Sequence, residues 1–391
     1  MRVALVHDWL NGMRGGEKVL EQLCLLYPNA VIYTLLYEPA RISPTIRAHE
    51  IKVSFIQRLP GVRRWYRWYL PLFPTAVESF DLAGYDLVIS CSHSVALGAM
   101  APVDSLHFCY CLTPMRYAWD HFHSYFPPDR YSWPVRTAIG WMMTRLRTWD
   151  VTVAQRVGRF VGISQFVAKR IFRHYRRDAG VIYPPADTNF YTPGGSRGDY
   201  HLVVSALVPY KRVDLAVAAF TEMNKPLVVI GEGPERGRLE KLAGPTVRFL
   251  GWRSDAEVRD HYRAARALIF PGEEDFGITP VEAAACGTPT VAYMSGGALE
   301  TVREDVTGVL FPEQTVASLA RAVQACESAR FDPATMREHA LGFSNERFRE
   351  QFAAEVQSTL AARHQAASGA GAPAGAGAPS GAGAPDGTAA P

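Results

Sequence analysis

In "GEEDFGITPVEAAACGTP" (Gly272 to Pro289) two carboxylates, Glu274 and Glu282, stand eight positions apart with Gly277 and Pro280 between them. Eight residues is too far for one helical turn, and the glycine and proline forbid a continuous helix through both, so the pair must flank a helix start. Thr279, Pro280 and Glu282 predict an N-cap, a first-turn proline and a capping-box partner, with Gly287 closing the helix before the next strand. Glu274 then hangs on the loop facing a helix N-terminus, whose free N–H groups and partial positive charge suit a phosphate. The competing reading is that Glu282 only caps its helix and Glu274 only solvates a loop. Gly15 and Gly16 offer a second place where bare backbone can approach a phosphate or an acceptor, before a helix expected to begin near Glu17; a tight turn explains them equally. His93 follows the strand "DLVISCS", where a lone histidine is more often a packed one, and Arg116 and Asp120 in "TPMRYAWD" line the end of the next strand, where they are expected toward an acceptor.

The elements that must position these residues are short β-rich runs alternating with helical patterns. "RVALV", "DLVIS" and "LHFCYCL" stand in the first half, and "HLVVSAL", "PLVVIG", "TVRFLG", "ALIF" and "PTVAY" in the second. Such alternation means parallel sheets with crossover helices. The Pro- and Gly-rich run Tyr183 to Tyr200 interrupts the pattern and marks the boundary between two doubly wound units, whose ligand cleft lies at the carboxyl ends of their strands. The expected division is 1–185, 186–345, a C-terminal helix over 346–364 packing back on the first unit, and a Gly/Ala/Pro tail over 365–391 that has nothing to bury and is expected to be disordered.

Composition narrows the class. The chain has 391 residues, and residues 1–183 carry 22 Lys+Arg against 13 Asp+Glu, a balance of +9, while the remainder carries 19 against 25, a balance of −6. The first half therefore expects an anionic neighbour. Six scattered cysteines with no CxxC pair and no His cluster read as reduced, buried and cytosolic, with Cys109 and Cys111 packing in a core. The N-terminus enters a strand at once, and no apolar run reaches the roughly 18 residues of a membrane span.

"SALVPYKRVDLAVAAF", "GEGPERGRL", "VRFLGW" and "EEDFGITPVEAAACGTPTVAY", in this order and spacing, resemble family 4 glycosyltransferases of the GT-B fold. The first half resembles them more loosely, through "VHDWLNGMRGGEKVLEQL", "DLVISCSHSVALG", "CYCLTPMRYAWD" and "VGISQFVAKRI", and within the family these look like bacterial O-antigen and exopolysaccharide enzymes related to GDP-mannose mannosyltransferases. The resemblance implies an α/β GT-B fold with two Rossmann-like domains facing across a cleft. It implies a donor site in which Glu274 holds sugar hydroxyls and Glu282 the nucleotide ribose, both suited to an acceptor-only carboxylate. Backbone amides of Phe276, Gly277, Ile278 and Thr279 would meet the sugar and distal phosphate. Lys211 would neutralise the diphosphate, and because Ala206 stands where relatives carry arginine, either Arg212 or the helix N-terminus would carry more of the charge. His93 would lie beside the transferred sugar, while Leu112 replaces a frequent second histidine. No DxD carboxylate pair is present, so no metal and no cofactor are expected, and the configuration at the sugar would be retained.

The stretch "RRWYRWYLPLFP" sets Arg63, Arg64 and Arg67 among Trp65, Tyr66, Trp68 and Tyr69, a mixture favoured where rings sit at headgroup level. Its competing reading is a partly buried helix with snorkelling arginines; nucleic acid is not expected, because no binding motif accompanies the patch. The reading as a whole is a hexosyltransferase, mannose from GDP-mannose first, acting on a lipid-linked oligosaccharide as a peripheral protein on the inner face of the cytoplasmic membrane. A nucleotide-sugar 2-epimerase of the same fold, or an idle sugar-nucleotide binder, are the alternatives.

Overall fold

The computed structural model describes residues 1–128 and 131–369, the side chains from 367 on excepted. The helix expected over 346–364 runs Asn345–Gly369, so residues 365–369 of the expected disordered tail are helical instead, and the rest of that tail, from residue 370, lies outside the described residues. Two parallel sheets organise the chain. The first takes β1 (Val3–His7), β2 (Val31–Thr34), β3 (Ile51–Val53), β4 (Leu87–Ser92), β5 (Leu106–Cys111), β6 (Arg159–Gly162) and β7 (Ala179–Val181) in the order β3-β2-β1-β4-β5-β6-β7. The second takes β8 (His201–Val204), β9 (Leu227–Ile230), β10 (Val247–Gly251), β11 (Leu268–Phe270), β12 (Thr290–Tyr293) and β13 (Gly308–Phe311) in the order β10-β9-β8-β11-β12-β13. Both are Rossmann-like windings, and in each the order reverses beside the first strand, which opens a crevice at the carboxyl ends.

Every residue of β1, β4 and β5 is buried, as a parallel strand covered on both faces by helices requires. The strands absent from the sequence reading, β2, β3, β6, β7 and β13, are three or four residues long and lie toward the sheet edges, where the apolar signal is weakest. All six cysteines are free and buried. Cys109 and Cys111 share one core cluster from β5. The helix Asn345–Gly369 returns to the first sheet: Phe348 and Phe352 set their rings 5.1 to 5.8 Å from Phe108 and Tyr110, and Arg159 Nε donates to Glu355 at 2.8 Å.

One core carboxylate is held without a counter-ion. Asp150, on the helix Trp133–Ala154, accepts on Oδ2 from the Trp119 indole and the Tyr175 hydroxyl, each at 2.8 Å, and its Oδ1 has no partner. Burial pushes this carboxyl up to about 7, the two hydrogen bonds pulling the other way. The folded chain therefore binds more protons than the unfolded one between the ordinary carboxylate range and pH 7, so this group makes stability fall as pH rises through that window. Asp150→Asn is expected to keep both acceptor contacts and abolish that slope. Thermal melts from pH 5 to 8 should show wild type losing ground to the variant as pH rises; parallel curves would refute the assignment.

Candidate functional site

The chemistry-bearing side chains gather at the facing carboxyl ends of the two sheets. On the second sheet the loop after β8 carries Lys211 and the loop after β11 carries Glu274, and the two make an ion pair, Nζ to Oε1. They meet because Gly272 lies against the Lys211 backbone: a Cβ at Gly272 would stand 2.8 Å from both the Cα and the carbonyl oxygen of Lys211. Any side chain there would push the two loops apart.

The helix beyond Glu274 begins differently from the expectation. It runs Ile278–Ala285, its N-cap is Gly277 at φ +87, and no side chain caps it. Thr279 and Pro280 are already in the first turn. Glu282 is then the fifth helical residue and cannot reach back to the N-cap, so the capping-box reading is corrected. The reason is backbone conformation: the left-handed turn at Gly277 starts the helix two residues early. Gly287, at φ +77, does close it. The helix start is left with open N–H groups, and the Thr279 hydroxyl beside them is buried without a hydrogen-bond partner.

Glu282 instead faces inward. Its Oε2 accepts from the Tyr262 hydroxyl at 3.0 Å. Burial raises its carboxyl, and the approach of Lys18 and Tyr262 pulls it back in part. Lys18 comes from the other sheet's glycine turn and also pairs with Asp255 at 3.1 Å. Gly15 and Gly16 are the first two residues of the helix Gly15–Leu26, which starts ahead of Glu17 because the Glu17 carboxylate accepts from the Arg14 amide at 3.0 Å. Arg212 is engaged elsewhere, on Asp214 at 3.3 Å and on the Gln314 side-chain oxygen Oε1 at 3.0 Å. Phe276 packs its ring against Tyr183 and Phe343.

Two arrangements were invisible in the sequence reading. The first surrounds His93, whose Nδ1 lies 3.0 Å from Asp8 Oδ2, near enough for an ion pair but out of line for a hydrogen bond. Asp8, at the end of β1, also accepts from the amides of His93, Ser94, Val95 and Ala96 at 2.6 to 3.0 Å. Burial alone would raise this carboxyl, but His93 and His7 outweigh it and hold it at about 2. Asp8 thus fixes the whole loop that carries His93. With Nδ1 buried, the exposed edge of the imidazole is the opposite one.

The second arrangement ties the two units together at Asp275. Arg116 Nε donates to its Oδ2 at 2.6 Å with Nη2 on the same oxygen, and Arg170 Nη1 donates to Oδ1 at 2.5 Å. The Ser164 hydroxyl donates to the Asp275 carbonyl at 2.5 Å. Glu300 accepts from the amides of Gln165 and Phe166 at 2.8 and 3.1 Å, across the start of the helix Gln165–Tyr175. Burial would raise the Asp275 carboxyl, but the two guanidiniums hold it below the ordinary range. Arg116, expected toward an acceptor, is therefore spent on Asp275, with Nη1 3.4 Å from the Tyr210 hydroxyl. Asp120 binds Arg170 in turn, at 2.9 Å from Nε.

The 63–69 stretch reaches toward the cleft through Tyr66, whose ring lies 5.3 Å from that of Trp9, itself 4.5 Å from the His93 ring. Arg63, Arg64, Arg67, Trp65 and Trp68 are exposed, whereas Tyr66 turns into the core and Tyr69 is half-buried, donating to the Pro60 carbonyl at 2.7 Å. Among the described residues no three His, Cys, Asp or Glu side chains cluster as a metal set, and no helix is long and apolar enough to cross a membrane.

Residues 195–341 match the model of the family described as Glycosyl transferases group 1. Among curated proteins, a D-inositol 3-phosphate glycosyltransferase of Geodermatophilus obscurus is 31% identical over 251 residues, covering 55% of each chain. One from Mycobacteroides abscessus is 33% identical, covering 42% of this chain and 43% of its own. The chain thus spans about half the length of the curated relatives it matches. Among solved structures, Anabaena Alr3699/HepE in complex with UDP superposes with a TM-score of 0.65 at 18% identity, over 92% of this chain and all of that one. The Thermosynechococcus elongatus sucrose-phosphate synthase does so at 0.67 and 17%, over 93% and 100%. The lipopolysaccharide outer core galactosyltransferase WaaB does so at 0.64 and 14%, over 92% and 99%. These likenesses establish the GT-B arrangement of two Rossmann-like units.

Breaking a buried pair from one side leaves uncompensated charge and costs about 3–5 kcal/mol, whereas an exposed pair contributes at most about 1 kcal/mol. Asp275→Ala is therefore expected to lower the melting temperature by several degrees, and Asp255→Ala, which removes only the exposed Lys18 contact, to leave it nearly unchanged. Equal melts for the two variants would show that the Asp275 cluster holds nothing.

Proposed function

We propose that the chain is a glycosyltransferase that moves a hexose from a nucleoside diphosphate sugar to a lipid-linked saccharide. The observation that carries this reading is the Lys211–Glu274 pair beside the uncapped start of helix Ile278–Ala285, inside the region that matches the group 1 family. In the free chain each side chain is the other's counter-ion. With donor bound, Lys211 and the open N–H groups at Ile278 and Thr279 take the diphosphate, and Glu274 takes sugar hydroxyls. Glu282, close to Lys18, takes the ribose.

The hard step is departure of the nucleoside diphosphate, and fixed donors aimed at its developing charge contribute several kcal/mol. No side chain is placed as a covalent nucleophile in this reading. The departing phosphate oxygen takes the proton from the acceptor hydroxyl on the same face, so configuration is retained and no metal is required. His93, held by Asp8, lies beside the transferred sugar in this reading. Mannose from GDP-mannose is the first donor to test. UDP-sugars come next, because solved relatives of this fold carry UDP and UDP-glucose. The lipid-linked acceptor is inferred from the exposed Arg63, Arg64, Trp65, Arg67 and Trp68, which suit a peripheral position on an anionic leaflet.

Binding of GDP, UDP and their sugars, followed by calorimetry, tests the donor reading, and transfer to acceptor with donor turnover separates a transferase from a 2-epimerase, which changes the free sugar nucleotide without acceptor. Lys211→Ala is expected to weaken diphosphate binding and to cut transfer at least about a hundredfold, the loss typical of removing one preorganised donor. Glu274→Ala should lose transfer of the same order while diphosphate binding survives. EDTA should leave wild-type turnover unchanged. Near-normal transfer by Glu274→Ala, or abolition by EDTA with rescue by manganese, would overturn these roles.

A further inference from the structure

Two segments of the first unit contain no carboxylate at all. Residues 51–77 carry Lys52, Arg58, Arg63, Arg64 and Arg67, and residues 131–149 carry Arg136, Arg145 and Arg147, with no Asp or Glu in either run. The second run contains most of the helix Trp133–Ala154, whose buried side chains, Met143, Leu146, Asp150, Val153 and Ala154, all lie beyond its first ten residues. The front of that helix therefore stands out from the fold, and its large apolar side chains are in the open: Trp133 is 78% exposed and Trp141 62%. The Arg145 guanidinium lies 3.9 Å from the Trp141 ring centroid. Trp65 and Trp68, at 53% and 80%, present the same chemistry from the other run, where Arg64 lies over the Trp65 ring.

Both runs are anchored in one core. Val62, Tyr66 and Phe73 from the first, and Met143 and Leu146 from the second, belong to a single buried cluster, with Ile139 and Met142 packed against it. An exposed patch of large apolar rings invites association, and here arginines stand over two of the rings, Arg64 on Trp65 and Arg145 on Trp141. Indole rings with arginine beside them fit the level of lipid headgroups, where the ring sits at the interface and the guanidinium meets phosphate.

We infer that the front of helix Trp133–Ala154 is a second membrane-contacting element, which joins the 63–72 segment in one face for an anionic bilayer. The inference rests on the peripheral-membrane part of the function proposed above and adds a partner element that the 63–69 motif does not include. Two separated contacts on one rigid unit do more than one patch can. They fix its tilt against the bilayer and thus which way the cleft opens toward a lipid-borne substrate. Attraction of this kind is screened by salt and suits reversible docking.

Co-sedimentation with vesicles of phosphatidylglycerol and phosphatidylcholine, against pure phosphatidylcholine, tests it with the full chain. Wild type is expected to bind the anionic vesicles at low salt and to be released at high salt. The triple variant Trp133→Ser, Trp141→Ser, Arg145→Glu changes only exposed side chains. It is expected to bind at least about tenfold more weakly while its melting temperature and nucleoside diphosphate binding stay as in wild type. Arg63→Glu, Arg64→Glu and Arg67→Glu together should do the same, and the combination should abolish binding. Vesicle binding by the helix variant equal to wild type would overturn the inference and leave the 63–69 patch standing. No vesicle binding by wild type would overturn both membrane assignments, while the nucleotide titrations decide the transferase reading separately. Preferential capture of RNA, or of a protein partner in place of vesicles, would likewise overturn it.

Discussion

A carboxylate taken out of water must find positive charge, and at Asp275 it finds it only in the opposite unit. Arg116 and Arg170 both come from the first sheet's side of the cleft, and Asp275 is the chain neighbour of Glu274. The residue that anchors the two units is thus one peptide away from the residue proposed to handle the sugar. Opening the cleft would strand the Asp275 carboxylate and leave Arg116 without its carboxylate partner, while Arg170 would keep Asp120 and the Thr113 hydroxyl. The Ser164 hydroxyl and the Glu300 carboxylate extend the same contact by caps. Each satisfies backbone groups at a loop or helix start that would otherwise lack partners. The geometry of the donor loop and the approach of the two units are therefore one structural variable.

This explains why the fold was more legible than the site. Parallel strands buried on both faces read as continuous apolar runs, and "LVISCS" and "LHFCYC" are short enough and bounded enough to be read as such. Local chemistry was partly legible too. Glu274 and Lys211 announce themselves as charged residues at strand ends, and the structure joins them although they are far apart in sequence. What stayed hidden was long-range pairing. Nothing around Asp8 says that it will hold the loop of His93, because the four amides it serves belong to another strand's end. Nothing around Arg116 says that it will cross the cleft.

The misread helix start has a different cause. Thr-Pro-x-Glu is a good local match to a capping signal, but local signals compete, and Gly277 at positive φ starts the helix earlier. The outcome bears on chemistry. A helix capped by Thr279 and Glu282 would have used its own side chains on the free N–H groups. One begun by a glycine leaves those groups, and the Thr279 hydroxyl, unspent. A cap would have added stability in the range of about 0.5–2 kcal/mol. Its absence at a position facing Lys211 and Glu274 is what a site for an external anion needs.

Charge is divided between the two units in the same sense. The first half of the chain carries +9 and the remainder −6. Much of the positive excess lies at the surface, in the two carboxylate-free runs that carry the exposed tryptophans. Inside the cleft the count is close to balanced: Arg116, Arg170 and Lys211 meet Asp275, Asp120 and Glu274. Since the cations within are already matched, the unbalanced field belongs to the outer face. A leaflet of anionic lipid would feel that face as a whole, while a nucleotide would enter the cleft by displacing Glu274 from Lys211 and meeting the open helix end. The two electrostatic tasks, orienting the molecule and holding a diphosphate, are thereby carried by different residues, so that salt can weaken the first without emptying the second.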